Sequence, residues 1–235
     1  MQRRTRHVWL SASILAVVVL LPWRDAAVSA QQNPDPKRFG KEIEAFETED
    51  LTSPPQPGWT LFVGSSSIRY WDIAQAFPQL KAIKRGFGGS FVSDNIYYAD
   101  RIIFPYKPKL IVFYAGDADV AANKSADEIF ADYRKLIGMI HARLPRTPIV
   151  IIGTKPSPAH WKQIDMIRNA NELVKAYVAD DPLATYADVD TPLLGPDGQP
   201  RPDFYVDNGL NLSAGGYKAW TEAVRPFIEM QWPKK

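Results

Sequence analysis

Leu61-Phe62-Val63-Gly64-Ser65-Ser66-Ser67-Ile68-Arg69 begins as an apolar run, breaks at a glycine and three serines, and passes directly into a helical pattern. A short apolar run bounded by turn residues reads as a strand, and a strand that feeds a helix is the first unit of an alternating α/β chain. The same signal recurs outward from it. With Thr60 to Val63 as the first, the runs Lys81 to Lys84, Lys109 to Tyr114, Pro148 to Gly153 and Thr185 to Val189 make five predicted strands. Helices fill the gaps. The clearest spans Ala126 to Leu144, where Ile129, Tyr133, Leu136, Ile137, Ile140 and Leu144 recur at three and four and form one apolar stripe. Tyr217, Trp220, Val224 and Phe227 repeat that spacing near the end. Helical connections of this length imply right-handed crossovers between parallel strands. The expected fold is therefore a three-layer α/β/α sandwich around a five-stranded parallel sheet of flavodoxin-like type. Its loops after Val63, Lys84, Tyr114 and Gly153 should converge on one cleft at the strand C-termini.

The first thirty residues differ from the rest. Arg3, Arg4, Arg6 and His7 precede an apolar run from Val8 to Trp23, and Val28-Ser29-Ala30 offers a small-residue cleavage site. The run falls short of the roughly 20 residues that span a bilayer, so residues 1–30 read as a signal peptide; an uncleaved N-terminal anchor is the alternative. The expected location is secreted or periplasmic, with cleavage near Ala30. Residues 31–58 form a lead-in: a short helix around Phe39 to Phe46, then Ser53-Pro54-Pro55-Gln56-Pro57-Gly58, whose prolines cannot continue regular structure. Residues 59–235 are the predicted domain. Losing Arg3, Arg4, Arg6, Arg24 and Asp25 turns 28 basic and 26 acidic residues into 24 and 25, a net charge of about −1. Such a balance gives no electrostatic footprint for nucleic acid or an anionic membrane surface. With no cysteine, disulfides, thiolate metal sites and cysteine nucleophiles are excluded.

Four loop segments could carry chemistry. In Gly64-Ser65-Ser66, Ser66 sits at the strand-to-helix turn, where a hydroxyl can point into the cleft, although serine is also a common helix cap. The segment lacks the second glycine of a G-x-S-x-G elbow, which disfavours the larger α/β-hydrolase fold. Arg85-Gly86-Phe87-Gly88-Gly89-Ser90 exposes backbone N–H groups suited to an oxyanion, and lacks the G-x-G-x-x-G spacing of dinucleotide sites. A tight turn without ligand is the plain alternative. Gly116-Asp117-Ala118-Asp119 carries two acids without histidine partners, a weak metal signal, so both read as solvated loop acids or helix caps. The last, from Asp207 to Tyr217, contains Asn208-Gly209, a strong turn pair, ahead of the final helix.

In order and context these four segments resemble the GDSL/SGNH ester hydrolases over nearly all of the mature chain, from about Trp59 onward. The resemblance implies that Ser66 is the nucleophile position, with Gly64-Ser65-Ser66 matching the family's G-D-S block. It places the oxyanion glycine at Gly89, with the Ser66 backbone N–H as a second donor. The family's G-x-N-D block falls on Gly116-Asp117-Ala118-Asp119, so alanine stands at Ala118 where an oxyanion asparagine is expected. Its D-x-x-H block falls on Asn208-Gly209-Leu210-Asn211, with Asn208 at the aspartate position and Asn211 at the histidine position.

A carboxamide accepts no proton near neutral pH, so Asn211 cannot act as general base. Asp207, one residue off, would point elsewhere and has no imidazole to orient. Of three histidines, His7 is lost with the leader and His141 lies in the helix away from the loop edge. His160, after Lys155-Pro156-Ser157-Pro158 at a strand end, is the candidate surrogate base. Disabling a serine–histidine unit typically costs about 10⁶ in kcat, and losing an oxyanion donor roughly 10² to 10³. Two functions remain: a pseudohydrolase that binds ligand without efficient turnover, or a slow or unconventional ester hydrolase that uses His160 or substrate assistance to activate Ser66. The resemblance allows short acyl esters, acetylated sugars or lipids as ligands. Trp71, Phe91, Tyr97 and Trp161 either line an aromatic cleft or pack the core. No metal or other cofactor is expected, nor a nucleic-acid partner or stable membrane span, and the chain reads as a monomer.

Overall fold

Alternation along the strands explains the layers of this computed structural model, which describes residues 33–231. The predicted leader, residues 1–30, lies outside them. On β3 (Leu110–Tyr114), Ile111 and Phe113 enter one apolar cluster while Leu110, Val112 and Tyr114 enter another on the opposite face. Every residue of that strand is buried, as expected where helices cover both faces of a parallel sheet.

The elements run α1 (Gly40–Thr52), β1 (Thr60–Gly64), α2 (Ser66–Tyr70), α3 (Ile73–Ala76), β2 (Ala82–Gly86), α4 (Val92–Tyr97), α5 (Ala99–Ile102) and β3. Then follow α6 (Asp117–Ala121), α7 (Ala126–Arg143), β4 (Ile149–Ile152), α8 (Ile164–Val178), β5 (Ala184–Ala187) and α9 (Ala214–Met230), with short 3₁₀ turns between some of them. All four strand pairs are parallel and the order is β2-β1-β3-β4-β5, a doubly wound α/β sheet. One face packs against residues of α1, α4, α5, α7 and α8, and the other against α2, α3 and α9. Sequence periodicity locates all five strands to within a few residues and places α7 and α9.

The lead-in is more ordered than its composition suggests. Its helix runs on to Thr52, well past Phe46. Apolar spacing ends near Phe46, but charge carries the helix further: Arg101 grips Glu47 with two bonds of 2.6 Å, and buried Arg85 pairs with Glu49 and Asp50. Ile43 is fully buried, so this segment is part of the core. Among the described residues, no helix is long and apolar enough to cross a membrane.

Candidate active site

The strand ends β1 and β3 fix where the chain can turn. Gly64, paired in register with Tyr114, has φ of +140°, and a Cβ on it would stand 1.8 Å from the Tyr114 carbonyl oxygen. Only glycine fits this approach. The Ser65 N–H donates to that same oxygen at 2.9 Å, after which the chain turns and Ser66 opens α2, half-buried at the cleft. The next loop is tied to the same spot: the Phe87 N–H and the Ser90 hydroxyl both donate to the Gly64 carbonyl, at 3.0 and 3.3 Å. Between them Gly89 turns with φ of +77° and stays exposed.

Ser66, Gly89, Ala118 and Asn211 line one cleft of about 440 Å³. Four positions separated by up to 145 residues in sequence are thus brought together, each from a different loop. Asn208 is not among the lining residues. Its Oδ1 accepts from the backbone N–H groups of Leu210 and Asn211, both at 2.9 Å, which holds the turn that presents Asn211. The turn is seated on the neighbouring loop, where the Ala159 N–H donates to the Gly209 carbonyl at 3.0 Å.

That neighbouring loop carries His160, in a 3₁₀ turn over Pro158–Gln163. The imidazole is half-buried, its Nε2 has no protein partner, and it does not line the cleft. Burial pushes its pKa below the ordinary histidine value, with Asp117 pulling upward and Lys155 adding to the depression. His160 is therefore the neutral imidazole at pH 7, the form a base requires. His141 sits on α7, with Nδ1 3.5 Å from Asp181.

The acids of the third loop overturn their reading as solvated loop acids or helix caps. Asp117 is 4% exposed and Asp119 fully buried. The first turn of α6 faces inward, and each acid meets a buried lysine from elsewhere. Lys155 Nζ donates to Asp117 Oδ2 at 2.6 Å, and the Tyr114 hydroxyl donates to the same oxygen at 2.9 Å. Lys124 Nζ donates to Asp119 Oδ1 at 2.6 Å and to Asp132 at 2.9 Å. Asp119 Oδ2 accepts from the Val92 N–H at 3.1 Å, joining the third loop to α4. Burial raises the Asp119 pKa to about 6 against the pull of Lys124. Asp117 also borders the cleft, which sequence reasoning missed because its partner lies 38 residues away.

Of the four aromatic candidates, Trp71 and Phe91 are buried, Tyr97 is exposed, Trp161 lies beneath the Arg168 guanidinium, and none lines the cleft. Tyr70 and Arg69 do. Both follow directly from helical spacing after Ser66. Among the described residues no group of three histidine or acidic side chains could hold a metal ion.

Residues 58–219 match the model of the GDSL-like lipase/acylhydrolase family. The chain is 24% identical over 175 residues to platelet-activating factor acetylhydrolase IB subunit alpha1 of Bos taurus, covering 72% of this chain and 74% of that one. A solved protein from Streptococcus pneumonia superposes with a TM-score of 0.73 at 19% identity, over 82% of this chain and 93% of that one. A GDSL-like lipase from Bacteroides thetaiotaomicron superposes at 0.65, also with 19% identity, over 83% and 98%.

Proposed function

We propose that this chain, which belongs to the GDSL-like lipase/acylhydrolase family, acts as a pseudohydrolase whose cleft binds acyl or acetylated ligands and turns them over poorly. One observation supports the reading: Ser66 and Asn211 line the same cleft, and Asn211 stands where the family's motif order expects the histidine base. A carboxamide has no basic site at neutral pH, and the serine hydroxyl stays a weak nucleophile without a base. Ala118, in the same cleft, supplies no side-chain donor to a developing oxyanion. What the cleft keeps is a shaped pocket with a hydroxyl, backbone N–H groups at Gly88 and Gly89, and room for a small acyl group. The chain acts in this reading as a monomer outside the cytoplasm, after loss of residues 1–30.

A second reading rests on His160, whose Nε2 is free of protein partners and neutral. In that case the enzyme is an unconventional ester hydrolase in which His160 reaches Ser66 after a movement of the Pro158–Gln163 turn. A serine-directed fluorophosphonate separates the two. The pseudohydrolase reading expects no rapid stoichiometric labelling of Ser66. Rapid labelling lost in His160→Ala supports the second reading and contradicts the first.

A further inference from the structure

The charges around the cleft do not cancel. Its lining carries two ionisable side chains of fixed sign, Asp117 and Arg69. Asp117 is neutralised by Lys155 at 2.6 Å, and that lysine is wholly buried. Arg69 has no carboxylate partner among the described residues; its guanidinium lies 6.0 Å from the centroid of the Tyr70 ring. The cleft therefore presents one uncompensated positive charge, close to the serine.

The backbone puts it there. Arg69 lies three residues after Ser66 on α2, one helical turn on and so on the same side. The helix packs hard on β2, since a Cβ on Gly86 would stand 2.3 Å from the Arg69 backbone nitrogen. Beside it, the space a Gly88 side chain would fill is bordered by Arg69 Nη1 at 3.6 Å and by the Ser66 Cβ at 3.9 Å. Arg69 and Ser66 thus flank one open point. Arg69 also lines a second groove, of about 510 Å³, with Phe46 and Trp59 and with the acids Glu42, Glu49 and Asp50, of which Glu49 and Asp50 pair with Arg85. It is shared by both linings.

We infer that Arg69 selects ligands bearing an anionic group, carboxylate or phosphoryl, a few bonds from the ester or acyl carbon held beside Ser66. The planar guanidinium binds either anion through paired N–H groups, and the one acid lining the cleft, Asp117, is engaged by Lys155 instead. The inference rests on the reading that this cleft binds acyl ligands. It adds the charge of the ligand and the residue that reads it.

Calorimetric titration of the unmodified protein at an ionic strength of about 0.01 M, where an exposed arginine is least screened, tests it. Three probes are used: dimethyl succinate, monomethyl succinate and methyl phosphonoacetate. The expected result is that both anions bind about tenfold more tightly than the neutral diester. Arg69→Gln should remove that preference by weakening the two anions about tenfold more than the neutral probe, and Arg69→Lys should keep part of it. Whichever anion binds more tightly identifies the carboxylate or phosphoryl source. Ala121→Trp, which fills the cleft from an exposed lining position, should abolish binding of all three. Equal binding of neutral and charged probes, or a preference that survives Arg69→Gln, overturns the assignment of Arg69 and leaves the ligand-binding cleft standing, whereas binding that survives Ala121→Trp places the probes outside the cleft and overturns both. No binding of any probe overturns both.

Discussion

The two walls of the cleft are built by different means. On one wall, the loops carrying Gly64, Ser66, Gly88 and Gly89 are held by the Ser65 and Phe87 N–H groups and the Ser90 hydroxyl, which converge on the Tyr114 and Gly64 carbonyls. On the other, the cleft is lined by the side chains of Ala118 and Asn211, with Asn208 closing the turn behind them. A substitution on the second wall leaves the chain path intact, because the Asn208 side chain still closes the turn through Leu210 and Asn211. The shape of the first wall is therefore set by the backbone, whereas the chemistry of the second is set by which side chains stand there.

The largest effect should come from restoring the second wall. Asn211→His alone is expected to recover part of an ester-hydrolase activity, since the imidazole would lack an orienting acid. Adding Asn208→Asp and Ala118→Asn should raise p-nitrophenyl acetate hydrolysis by at least about 100-fold over the unmodified chain, more than the separate gains combined, as residues acting as a unit are non-additive. Aspartate at 208 can keep both turn bonds, because a single oxygen accepts them. Ser66→Ala in the triple variant should remove the gain. A triple variant that folds and stays at background would mean that the first wall is not competent either.

The first wall should instead fail through the fold. Gly64→Ala forces a methyl group into the Tyr114 carbonyl at a positive φ, which should cost more than about 3 kcal/mol of stability in urea unfolding, or prevent folding. Ala118→Gly, on the other wall, should cost about 1 kcal/mol or less, in line with helix propensity. Comparable losses at the two sites would erase the contrast.

Between the walls lie the two buried acid–lysine pairs. Lys155→Met leaves Asp117 as an unpaired buried charge and should cost about 3 to 5 kcal/mol. Asp119 gives a smaller, pH-dependent effect. Its pKa is about 6 in the folded protein and near 3.8 when unfolded, so between those values the folded state holds a proton that the unfolded state has released. Its contribution to stability therefore falls as pH rises from about 4 to about 6. Relative to Asp119→Asn, the unmodified protein should lose stability across that window. A flat difference would show that Lys124 fully offsets the burial.

These contrasts also explain what the sequence could convey. Strands such as Leu110–Tyr114 announce themselves through apolar runs, and α7 through its stripe, because burial against a sheet imposes a period. Ser66, Gly89, Ala118 and Asn211 were legible as a set through the order of their motifs, and the structure places all four on one cleft. Ion pairing has no period. Nothing local in Gly116-Asp117-Ala118-Asp119 indicates that both acids are buried opposite Lys155 and Lys124, and nothing in the polar stretch Glu47 to Asp50 indicates that Arg85 and Arg101 extend α1. The separation of His160 from the cleft lining was equally hidden, since it depends on how the Pro158–Gln163 turn packs against Gly209.

The central claim, that the cleft is formed but its serine is not activated, is tested most directly by steady-state hydrolysis of p-nitrophenyl acetate by the unmodified protein beside Ser66→Ala and His160→Ala. The account predicts three rates within a few-fold of one another, because no positioned base deprotonates Ser66. Robust turnover that disappears with Ser66→Ala would contradict it, and its loss with His160→Ala as well would identify that histidine as the base.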